Sequence, residues 1–421
     1  GSLNYDLGND EMSKCPVEYW IWLQNALGAG ARTDEILSYF STPEKLYLAG
    51  SKEWRLSGLF TAKKIEALRS STPSETLKIL NECRSKGYNI ITPDSDEYSD
   101  RLKTLSDMPL VLYGVGDCSV LKDTLNIGIV GTRNASNYGI EIAQKLSFSL
   151  ASSGATIVSG GALGIDSEAH AGAMLAKGRT LAFLGCGLSF GYLKENASLR
   201  RAITRYGAVV SEYQPFASAS RTTFPIRNRL ISGVSLGVVV IEAGVKSGSL
   251  ITADRALEQG RDVFAVPGDI VRSSFDGTNH LIKNGAKPVF SAEDILSEYE
   301  YLYGDLMNID KAKEPLSKIE YVNYRKPKNK TEKTVEKVAE ANTCERINSV
   351  SEEKTVVKKE IPDEASDDAK KVYSVLSERE MHIDDIVRQT GLRMNIVLAS
   401  LTELELFGVV ELVSGKKYKI I

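Results

Sequence analysis

The sequence predicts an α/β fold, a parallel sheet with helices on both faces, for the domain at residues 125–300. Short continuous apolar runs alternate there with helical stretches, which is typical of strands buried on both faces of such a sheet. Glycine is concentrated in the same region, since 21 of the 34 glycines lie in residues 125–290. Because apolar runs separate these glycines, we interpret them as tight turns from strand to helix.

Residues 1–124 predict an N-terminal helical domain and the lead-in to the sheet. Apolar side chains such as Trp20, Leu27 and Phe40 supply its helix faces. Gly28-Ala29-Gly30 and Ser57-Gly58 are typical of hairpin turns between helices. Such turns can offer backbone N–H groups to a phosphate, but we interpret them as plain connections and assign this domain a supporting role.

Five strands are predicted in the central domain, and a glycine-containing turn follows each of them. The strands are residues 126–130, 156–158, 180–184, 238–241 and 263–265, and the turns are residues 131–133, 159–162, 185–187, 242–244 and 266–268. Because the carboxyl ends of parallel strands meet at one edge, these turns should gather there with the N-termini of the following helices. That edge favours anionic ligands.

The last third of the chain predicts a charged linker followed by a small domain. Residues 301–365 form the linker, and residues 310–365 contain 25 charged side chains among 56 residues without any glycine. In residues 366–421, three amphipathic helices precede two short strands, a pattern typical of a winged helix. Its third helix carries Glu403 and Glu405 against Arg393, so we expect protein contact or regulation and not the reading of duplex DNA.

The distribution of charge indicates the ligand of the central domain. The formal net charge of the whole chain is −3, but residues 125–290 carry 17 basic and 11 acidic side chains. Neither a GxGxxG dinucleotide motif nor a complete Walker A loop is present, although Lys246-Ser247 resembles the end of the latter. Basic residues along several turns, with the aromatic Phe224 among them, therefore predict a groove for single-stranded nucleic acid.

Some of the basic residues have a different interpretation, and so does one pair of polar side chains. Arg200, Arg201 and Arg205 are predicted to form a solvated helix face. Asp166 and His170, at i and i+4 on a helix, have the spacing of an acid–base pair, but we expect a helix cap and a packed histidine, since no nucleophile accompanies them. With three histidines in the chain, we expect neither a catalytic metal nor another cofactor.

Several strings in the central domain are specific enough to indicate a family. They are SGGALGIDSEAH (residues 159–170), FPIRNRLISG (224–233), EAGVKSGSLITADRALEQGRDVFAVPG (242–268) and GTNHLIKNGA (277–286), together with Gly131-Thr132-Arg133. With these strings, the chain resembles the DNA-processing protein A (DprA/Smf) family.

This resemblance implies an extended Rossmann-like domain, an N-terminal helical domain of the SAM/helix-hairpin-helix type and a C-terminal winged helix. It implies binding of single-stranded DNA by a homodimer that helps to load the RecA recombinase during natural transformation, without catalytic activity. The DNA-binding residues implied by the family motifs are Thr132, Arg133, Gly160, Gly161, Lys194, Arg221, Phe224, Arg227, Asn228, Lys246, Ser247 and Gly248.

An enzymatic alternative comes from a related superfamily with the same core, the cytokinin-activating nucleotide phosphoribohydrolases. Their motif resembles Gly-Gly-x-Gly-Thr-x-x-Glu, and aligning Gly248-Ser249 with its Gly-Thr places Thr252 at the position of the glutamate. The missing acid favours binding over glycosidic cleavage. The sequence also lacks an apolar run of membrane-spanning length and a secretory signal, so we expect a cytoplasmic protein.

Overall fold

The structure, a computed structural model, describes residues 14–191, 196–324, 365–377, 380–406, 409–413 and 417–420. The chain divides into two compact units, Gly1–Lys326 and Pro327–Ile421. Each unit has its own hydrophobic core.

The first unit begins with five helices that pack around tryptophan side chains. These helices are α1 (Val17–Leu27), α2 (Asp34–Phe40), α3 (Pro43–Leu56), α4 (Ala62–Arg69) and α5 (Leu77–Lys86). Thr42 and Thr61 cap α3 and α4 by accepting hydrogen bonds from the backbone N–H groups of Lys45 and Lys64. Trp20, Trp22 and Trp54 are buried in a core that continues into the sheet, so the helices and this face of the sheet stabilise each other.

Within the described residues, the sheet of the first unit has nine strands, in the order β1-β2-β6-β5-β4-β3-β7-β8-β9. The strands are β1 (Asn89–Ile91), β2 (Leu112–Gly116), β3 (Asn126–Val130), β4 (Thr156–Ser159), β5 (Thr180–Leu184), β6 (Gly207–Ser211), β7 (Gly237–Val240), β8 (Asp262–Ala265) and β9 (Lys287–Pro288). The strands from β6 to β9 pair in parallel, whereas β1 and β2 add an antiparallel edge. The predicted mostly parallel α/β sheet is confirmed.

Helices cover both faces of the sheet. They are α6 (Asp100–Lys103), α7 (Asn137–Ser152), α8 (Ile165–Leu175), α9 (Ala197–Ile203), α10 (Thr223–Val234), α11 (Gly248–Glu258), α12 (Asp276–Lys283) and α13 (Glu293–Leu296). Helices α7 and α8 share a core with Ile127 and Ile157, and α10 and α11 share a different one with Val130 and Val158. Since side chains alternate along a strand, the two helix pairs lie on opposite faces.

The chain changes direction across the sheet at β3. From there it runs outward through β4, β5 and β6 on one side, then returns to β7 on the other side of β3. In open parallel sheets such a switch point leaves a crevice at the carboxyl ends of the two central strands, where ligands bind. The fold thus places the turns after β3 and β7 at the mouth of a crevice.

Part of the segment assigned to the linker from sequence is folded onto the first unit. Helices α14 (Glu300–Tyr303) and α15 (Ile309–Ala312) are followed by a strip in which Val322 N–H donates to Gln144 Oε1 at 2.7 Å. Gln144 in turn donates to Glu168, whose other oxygen accepts from the Tyr324 hydroxyl. A buried amide and a buried carboxylate therefore hold the chain as far as residue 324, although its composition is that of a solvated segment.

The second unit is a winged helix. It consists of α16 (Asp367–Val375), β10 (Met381–His382), α17 (Ile383–Thr390), α18 (Met394–Leu406), β11 (Val410–Val413) and β12 (Lys417–Ile420). The strands form an antiparallel sheet in the order β10-β12-β11, which confirms the predicted three helices and hairpin. Glu403 accepts hydrogen bonds from the backbone N–H and hydroxyl of Ser366, so this acid of α18 ties the two outer helices together.

Candidate nucleic-acid interface

A cavity of about 710 Å³ opens at the switch point, between the turns after β3 and β7. The sequence-predicted residues that line it are Thr132, Arg133, Arg221, Phe224, Arg227, Asn228, Lys246, Ser247 and Gly248. These residues lie up to 116 positions apart in the chain, and the fold of the sheet brings them together. Gly160 and Gly161 lie at the end of the neighbouring strand β4, and Lys194 lies outside the described residues.

The turn after β3 is fixed by its neighbours on both sides. Thr132 N–H donates to the carbonyl oxygen of Glu242 at 2.8 Å, and the carbonyl of Thr132 accepts from Ile165 N–H at 3.2 Å. Gly164 has a φ of +77°, and a Cβ atom there would lie 2.5 Å from the carbonyl oxygens of Thr132 and Arg133. Because the backbone is held on both sides, the exposed Arg133 side chain leaves the turn from a defined point.

Arg133 and Phe224 form a cation–aromatic pair at the mouth of the cavity. The Arg133 Cζ lies 4.8 Å from the ring centroid of Phe224, within the range of a cation–π interaction. The ring itself packs on Gly185 at the end of β5, where an added Cβ would lie 2.8 Å from its Cδ1. The turn after β5 thus supports an aromatic ring, and the ring in turn orients an exposed guanidinium group.

Arg227 lies deeper in the cavity and connects one helix with the ends of two strands. It is only 4% exposed, and its Nη1 donates to the carbonyl oxygens of Gly160, at 2.6 Å, and Phe183. Its Cζ lies 5.9 Å from the centroid of the Phe224 ring. Unlike the exposed Arg133, Arg227 is buried beside this ring. Arg227 therefore joins α10 to the ends of β4 and β5 through backbone carbonyls, whereas its contact with DNA stays a prediction.

Asp166 lies beneath the glycine turn that follows β4. Its Oδ2 accepts a hydrogen bond from Ala162 N–H at 3.3 Å, at the start of α8. Burial raises the pKa of this carboxyl group, and the nearby Arg227 guanidinium partly offsets that rise. An added Cβ at Gly160 would lie 2.6 Å from both Asp166 Oδ2 and Arg227 Nη1. The glycine is required because these two side chains approach the backbone closely.

His170, one turn further along α8, is fully buried and bonded elsewhere. Its Nδ1 lies 2.7 Å from Thr180 Oγ1, which itself donates to the carbonyl oxygen of Ile157 at 2.8 Å. The hydroxyl proton is thereby used, so Nδ1 of the imidazole is the donor. Burial, with a smaller effect of Arg227, lowers the pKa of His170 to about 3. Asp166 and His170 thus bond to separate partners. The packed histidine is as expected, but the predicted helix cap is wrong, because Gly164 is the N-cap of α8 and Asp166 lies inside the helix, accepting from Ala162 N–H in the preceding turn.

The turn after β7 presents a lysine and a helix N-terminus to the cavity. Lys246 is exposed, and Ser247 caps α11 by accepting from Ser249 N–H at 3.4 Å. Asn228 of α10 donates to the carbonyl oxygen of Gly248 at 3.2 Å, which fixes the first turn of α11 against α10. Since the N–H groups of Ser249 and Leu250 donate to Ser247, the start of this eleven-residue helix offers an anion the Gly248 N–H and the positive end of the helix dipole.

Two groups of basic residues do not belong to the cavity lining. Arg201 and Arg205 are exposed on and after α9, which leads to the amino end of β6, opposite the cavity edge, whereas Arg200 is half-buried and does not belong to the predicted solvated face. Arg229 is buried, with its Nη2 2.8 Å from Glu212 Oε1 and its Nε 3.1 Å from Asp107 Oδ2. Gln24 of α1 donates to the same Glu212 oxygen at 3.2 Å. Counting arginines by sequence could not separate this internal ion pair from a surface contact.

Gly30 also contributes to this internal contact and not to the cavity. An added Cβ there would lie 2.9 Å from Ile226 Cγ2 and 3.8 Å from Arg229 Nε. The hairpin turn at residues 28–30 therefore packs on α10, which carries Phe224, Arg227 and Asn228. Its predicted role as a plain connection between helices is consistent with this contact, and it adds support for α10.

The position relevant to the enzymatic alternative is Thr252. It lies on α11, lines the cavity and is 1% exposed. A hydroxyl group therefore stands at the position that the motif alignment assigns to the glutamate. None of the helices in the described ranges combines the length and the apolar composition of a membrane span.

Comparison with known proteins places this architecture among DNA-processing proteins. Residues 89–300 match the sequence model described as DNA recombination-mediator protein A, and residues 357–416 match that of the DprA winged helix domain. The DNA processing protein DprA of Bacillus subtilis is 43% identical over 221 residues, which is 52% of this chain and 74% of that protein. Protein Smf of Synechocystis is 33% identical over 347 residues, 81% of this chain and 82% of that protein.

A solved structure agrees with these sequence matches. The X-ray structure of DNA processing protein A from Streptococcus pneumoniae superimposes with a TM-score of 0.60 at 34% sequence identity. The match covers 68% of this chain and 99% of that one.

Proposed function

Because the chain belongs to the DNA-processing protein A (DprA/Smf) family, we propose that the cavity at the switch point binds single-stranded DNA without cleaving it. One observation carries this proposal above the others. The exposed Arg133 guanidinium lies 4.8 Å from the centroid of the Phe224 ring, at the mouth of a cavity that Lys246 and the N-terminus of α11 also face. Cations, backbone N–H groups and an aromatic ring are the groups that contact phosphates and bases.

An unpaired strand fits this arrangement better than a duplex. Phe224 is half-buried in the cavity lining, so a base must leave a stack to reach its ring. Stacking on an aromatic side chain contributes about 1 to 3 kcal/mol per base and does not depend on base identity. The phosphate contacts from Arg133, Lys246 and the start of α11 are likewise independent of sequence. We expect broad sequence tolerance with a strong preference for single strands.

Binding, and not glycosidic cleavage, is supported by the acids and bases of the site. Asp166 lines the cavity but accepts a hydrogen bond from Ala162 N–H, the pKa of His170 is lowered to about 3 by burial, and Thr252 stands at the position aligned with the glutamate of the hydrolase motif. A general acid or base needs a pKa near the working pH and contact with the substrate. These side chains serve the fold, so the chemistry of the site is charge neutralisation and stacking.

We further propose that two copies of the chain act together and assist the loading of RecA onto the bound strand. The description of the family as a recombination mediator supports this role. Two linked grooves on one strand make the second binding event intramolecular, which raises the apparent affinity without any new contact. Sedimentation analysis should then show a dimer, and dimer-disrupting variants should lose affinity for long strands more than for short ones.

The proposal is tested by measuring binding and hydrolysis on one preparation. Fluorescence anisotropy should give tighter binding of oligo-dT than of a duplex of equal length. If about five phosphates are neutralised, log K against log salt should have a slope of roughly −3.5 for single strands. Equal affinity for duplex, a flat salt response, or release of a base from nucleoside monophosphates would contradict the proposal.

A further inference from the structure

We propose that the single strand continues past the cavity, over the turns after β5 and β6, to a second aromatic site formed by Phe216 and Lys78, with the exposed Phe190 on the adjoining turn after β5. This inference rests on the proposed function, because it extends the same interface. It assigns a nucleic-acid contact to α5, in the N-terminal helical part that sequence analysis considered only supporting. Its ligand is the base and phosphate of one or two further nucleotides.

The surface between the two sites is continuous. Phe224 packs on Gly185, which begins the turn after β5. That turn pairs with the loop after β6 through two backbone hydrogen bonds, from Gly187 N–H to Ala217 O at 2.8 Å and from Ser189 N–H to Pro215 O at 2.9 Å. The two loops thus form one layer that runs from the Phe224 ring to Phe216.

The second site repeats the chemical pattern of the first. The Lys78 Nζ lies 5.0 Å from the ring centroid of Phe216, as Arg133 lies near Phe224. Phe216 is 40% exposed and Phe190 is 38% exposed. Covering either ring with a base would remove apolar surface from water, which is favourable. A cation beside an exposed aromatic ring offers a phosphate and a base their two usual partners.

The loops that carry these rings are held in place by α5. Ser189 Oγ donates to Glu82 Oε1 at 2.6 Å, and Tyr88 Oη lies 3.2 Å from Ser189 Oγ. Glu82 lies one turn after Lys78 on α5, and its carboxylate accepts the hydrogen bond that fixes the loop. A fixed loop presents its ring without the cost of ordering it on binding.

The dimensions of the edge match a short stretch of nucleic acid. Strands β7, β3, β4, β5 and β6 are consecutive in the sheet, and neighbouring strands lie about 4.8 Å apart. The edge from β7 to β6 is thus about 19 Å long, which is at most roughly five or six nucleotides at the rise of about 3.4 Å in a stacked strand and fewer when the bases are unstacked. Phe216 lies at the far end of this distance from Lys246.

A tryptophan at the second site gives a direct readout. The three tryptophans of the chain, Trp20, Trp22 and Trp54, are all buried, so F216W adds one exposed indole to a constant background. We expect oligo-dT of 12 or more nucleotides to quench the added fluorescence with the same affinity that anisotropy reports. Tyr301, which is 97% exposed on α14, provides the matched control in Y301W, whose emission should not change.

Dependence on length separates this inference from the proposed function. The double variant F190A/F216A should bind dT20 roughly 5-fold more weakly, because stacking is lost, and should bind dT4 as the wild type does. R133A should weaken binding of both lengths. If F190A/F216A binds both lengths as the wild type does and F216W is not quenched, the second site is refuted while the cavity stands. If the wild type binds neither length, the proposed function itself has failed.

The lysine has its own test and control on the same helix. K78Q should lower the slope of log K against log salt for dT20 by about 0.7, the contribution of one phosphate on a single strand. Lys86 is exposed about two turns further along α5, so K86Q should leave that slope unchanged. An unchanged slope in K78Q, or an equal loss in both variants, would refute the assignment of a phosphate to Lys78.

Discussion

Two arginines on one aromatic ring have different roles, and their burial explains why. Arg133 is exposed and reaches the Phe224 ring from the solvent side of the cavity, whereas Arg227 is 4% exposed and binds backbone carbonyls. An exposed guanidinium keeps its donors available for a phosphate, and bidentate contact with phosphate suits its geometry. The buried guanidinium of Arg227 instead stabilises the strand ends that surround the cavity.

For Arg133, we predict a loss of binding without a loss of stability. A charge-assisted contact contributes about 1.5 to 3 kcal/mol, so R133A should bind oligo-dT roughly 10- to 150-fold more weakly. R201A, which removes an exposed arginine on α9, is the matched control and should bind as the wild type does. Anisotropy and thermal unfolding check both parts, and unchanged affinity in R133A would remove this residue from the interface.

For Arg227, we predict the reverse order of effects. R227A leaves the carbonyl groups of Gly160 and Phe183 without this donor and removes a positive charge near the buried Asp166. The free energy of unfolding should fall by about 2 to 4 kcal/mol, as measured by urea denaturation. R201A should stay within about 0.5 kcal/mol of the wild type. A stable R227A that binds weakly would instead assign Arg227 mainly to DNA.

His170 predicts a specific dependence of stability on pH. Its pKa is lowered to about 3 in the fold, below the value of about 6.5 for an unfolded chain. The unfolded state therefore binds the extra proton first, and stability falls as pH decreases from about 6.5 toward 3. Between pH 6.5 and 5 the loss should be about 1 to 2 kcal/mol.

The variant H170Q removes this titration. Its unfolding free energy should be lower at pH 7 but should change less between pH 6.5 and 5 than that of the wild type. The buried tryptophans lie in the core on the other face of the sheet from α8 and report unfolding of the first unit. Equal pH profiles for wild type and H170Q would show that the imidazole is protonated in the folded state or does not titrate in this range.

At the scale of elements, the glycine turns determine where the functional side chains can stand. Gly164 has a φ of +77°, and a Cβ atom at this position would clash with two carbonyl oxygens. We predict that G164A displaces the Thr132–Arg133 turn and costs about 1 to 3 kcal/mol of stability, with weaker binding of oligo-dT. The comparison variant is G304A, where a Cβ atom would meet only Glu300 Cγ at 3.8 Å. If both variants bind and melt alike, the turn does not depend on Gly164.

The same turns explain which elements the sequence predicts and which it does not. The sequence predicts the five strands β3, β4, β5, β7 and β8 near their observed positions, because an apolar run and a glycine turn coincide there. Strand β6 was not predicted, since Gly207–Ser211 is followed by Glu212 and not by a glycine turn. Strands β1 and β9 are short edge elements that become strands only by pairing with the rest of the sheet, whereas β2 pairs on both sides and is simply missed in a segment assigned to the helical domain.

The candidate site divides in the same way. Spacing and residue type indicated Arg133, Phe224 and Lys246, which line one cavity. The sequence could not show that Arg227 and Arg229 are buried, because their partners are distant in the chain. Arg227 binds the carbonyl groups of Gly160 and Phe183. Arg229 pairs with Glu212 and Asp107. It also gave no signal for Lys78 and Phe216, which lie 138 positions apart.

At the scale of the whole molecule, the charge balance hides a basic edge. The net charge of −3 combines a central domain of +6 with more acidic neighbours. Within that domain the fold separates the basic residues again, because Arg229 is neutralised inside by Glu212 and Asp107 while Arg133 and Lys246 are exposed at the cavity. Neither net charge nor domain charge therefore measures the binding surface, which consists of the exposed cations at one sheet edge.

The central claim is that single-stranded DNA binds at the carboxyl edge of the sheet. Hydrogen–deuterium exchange of the full chain, with and without saturating dT20, tests it most directly, since bound phosphates protect the backbone N–H groups they contact. We predict slower exchange at residues 131–134, 159–166 and 245–250, and unchanged exchange in α16–α18. Protection confined to the winged helix, or absent from all three turns despite saturation, would contradict the account.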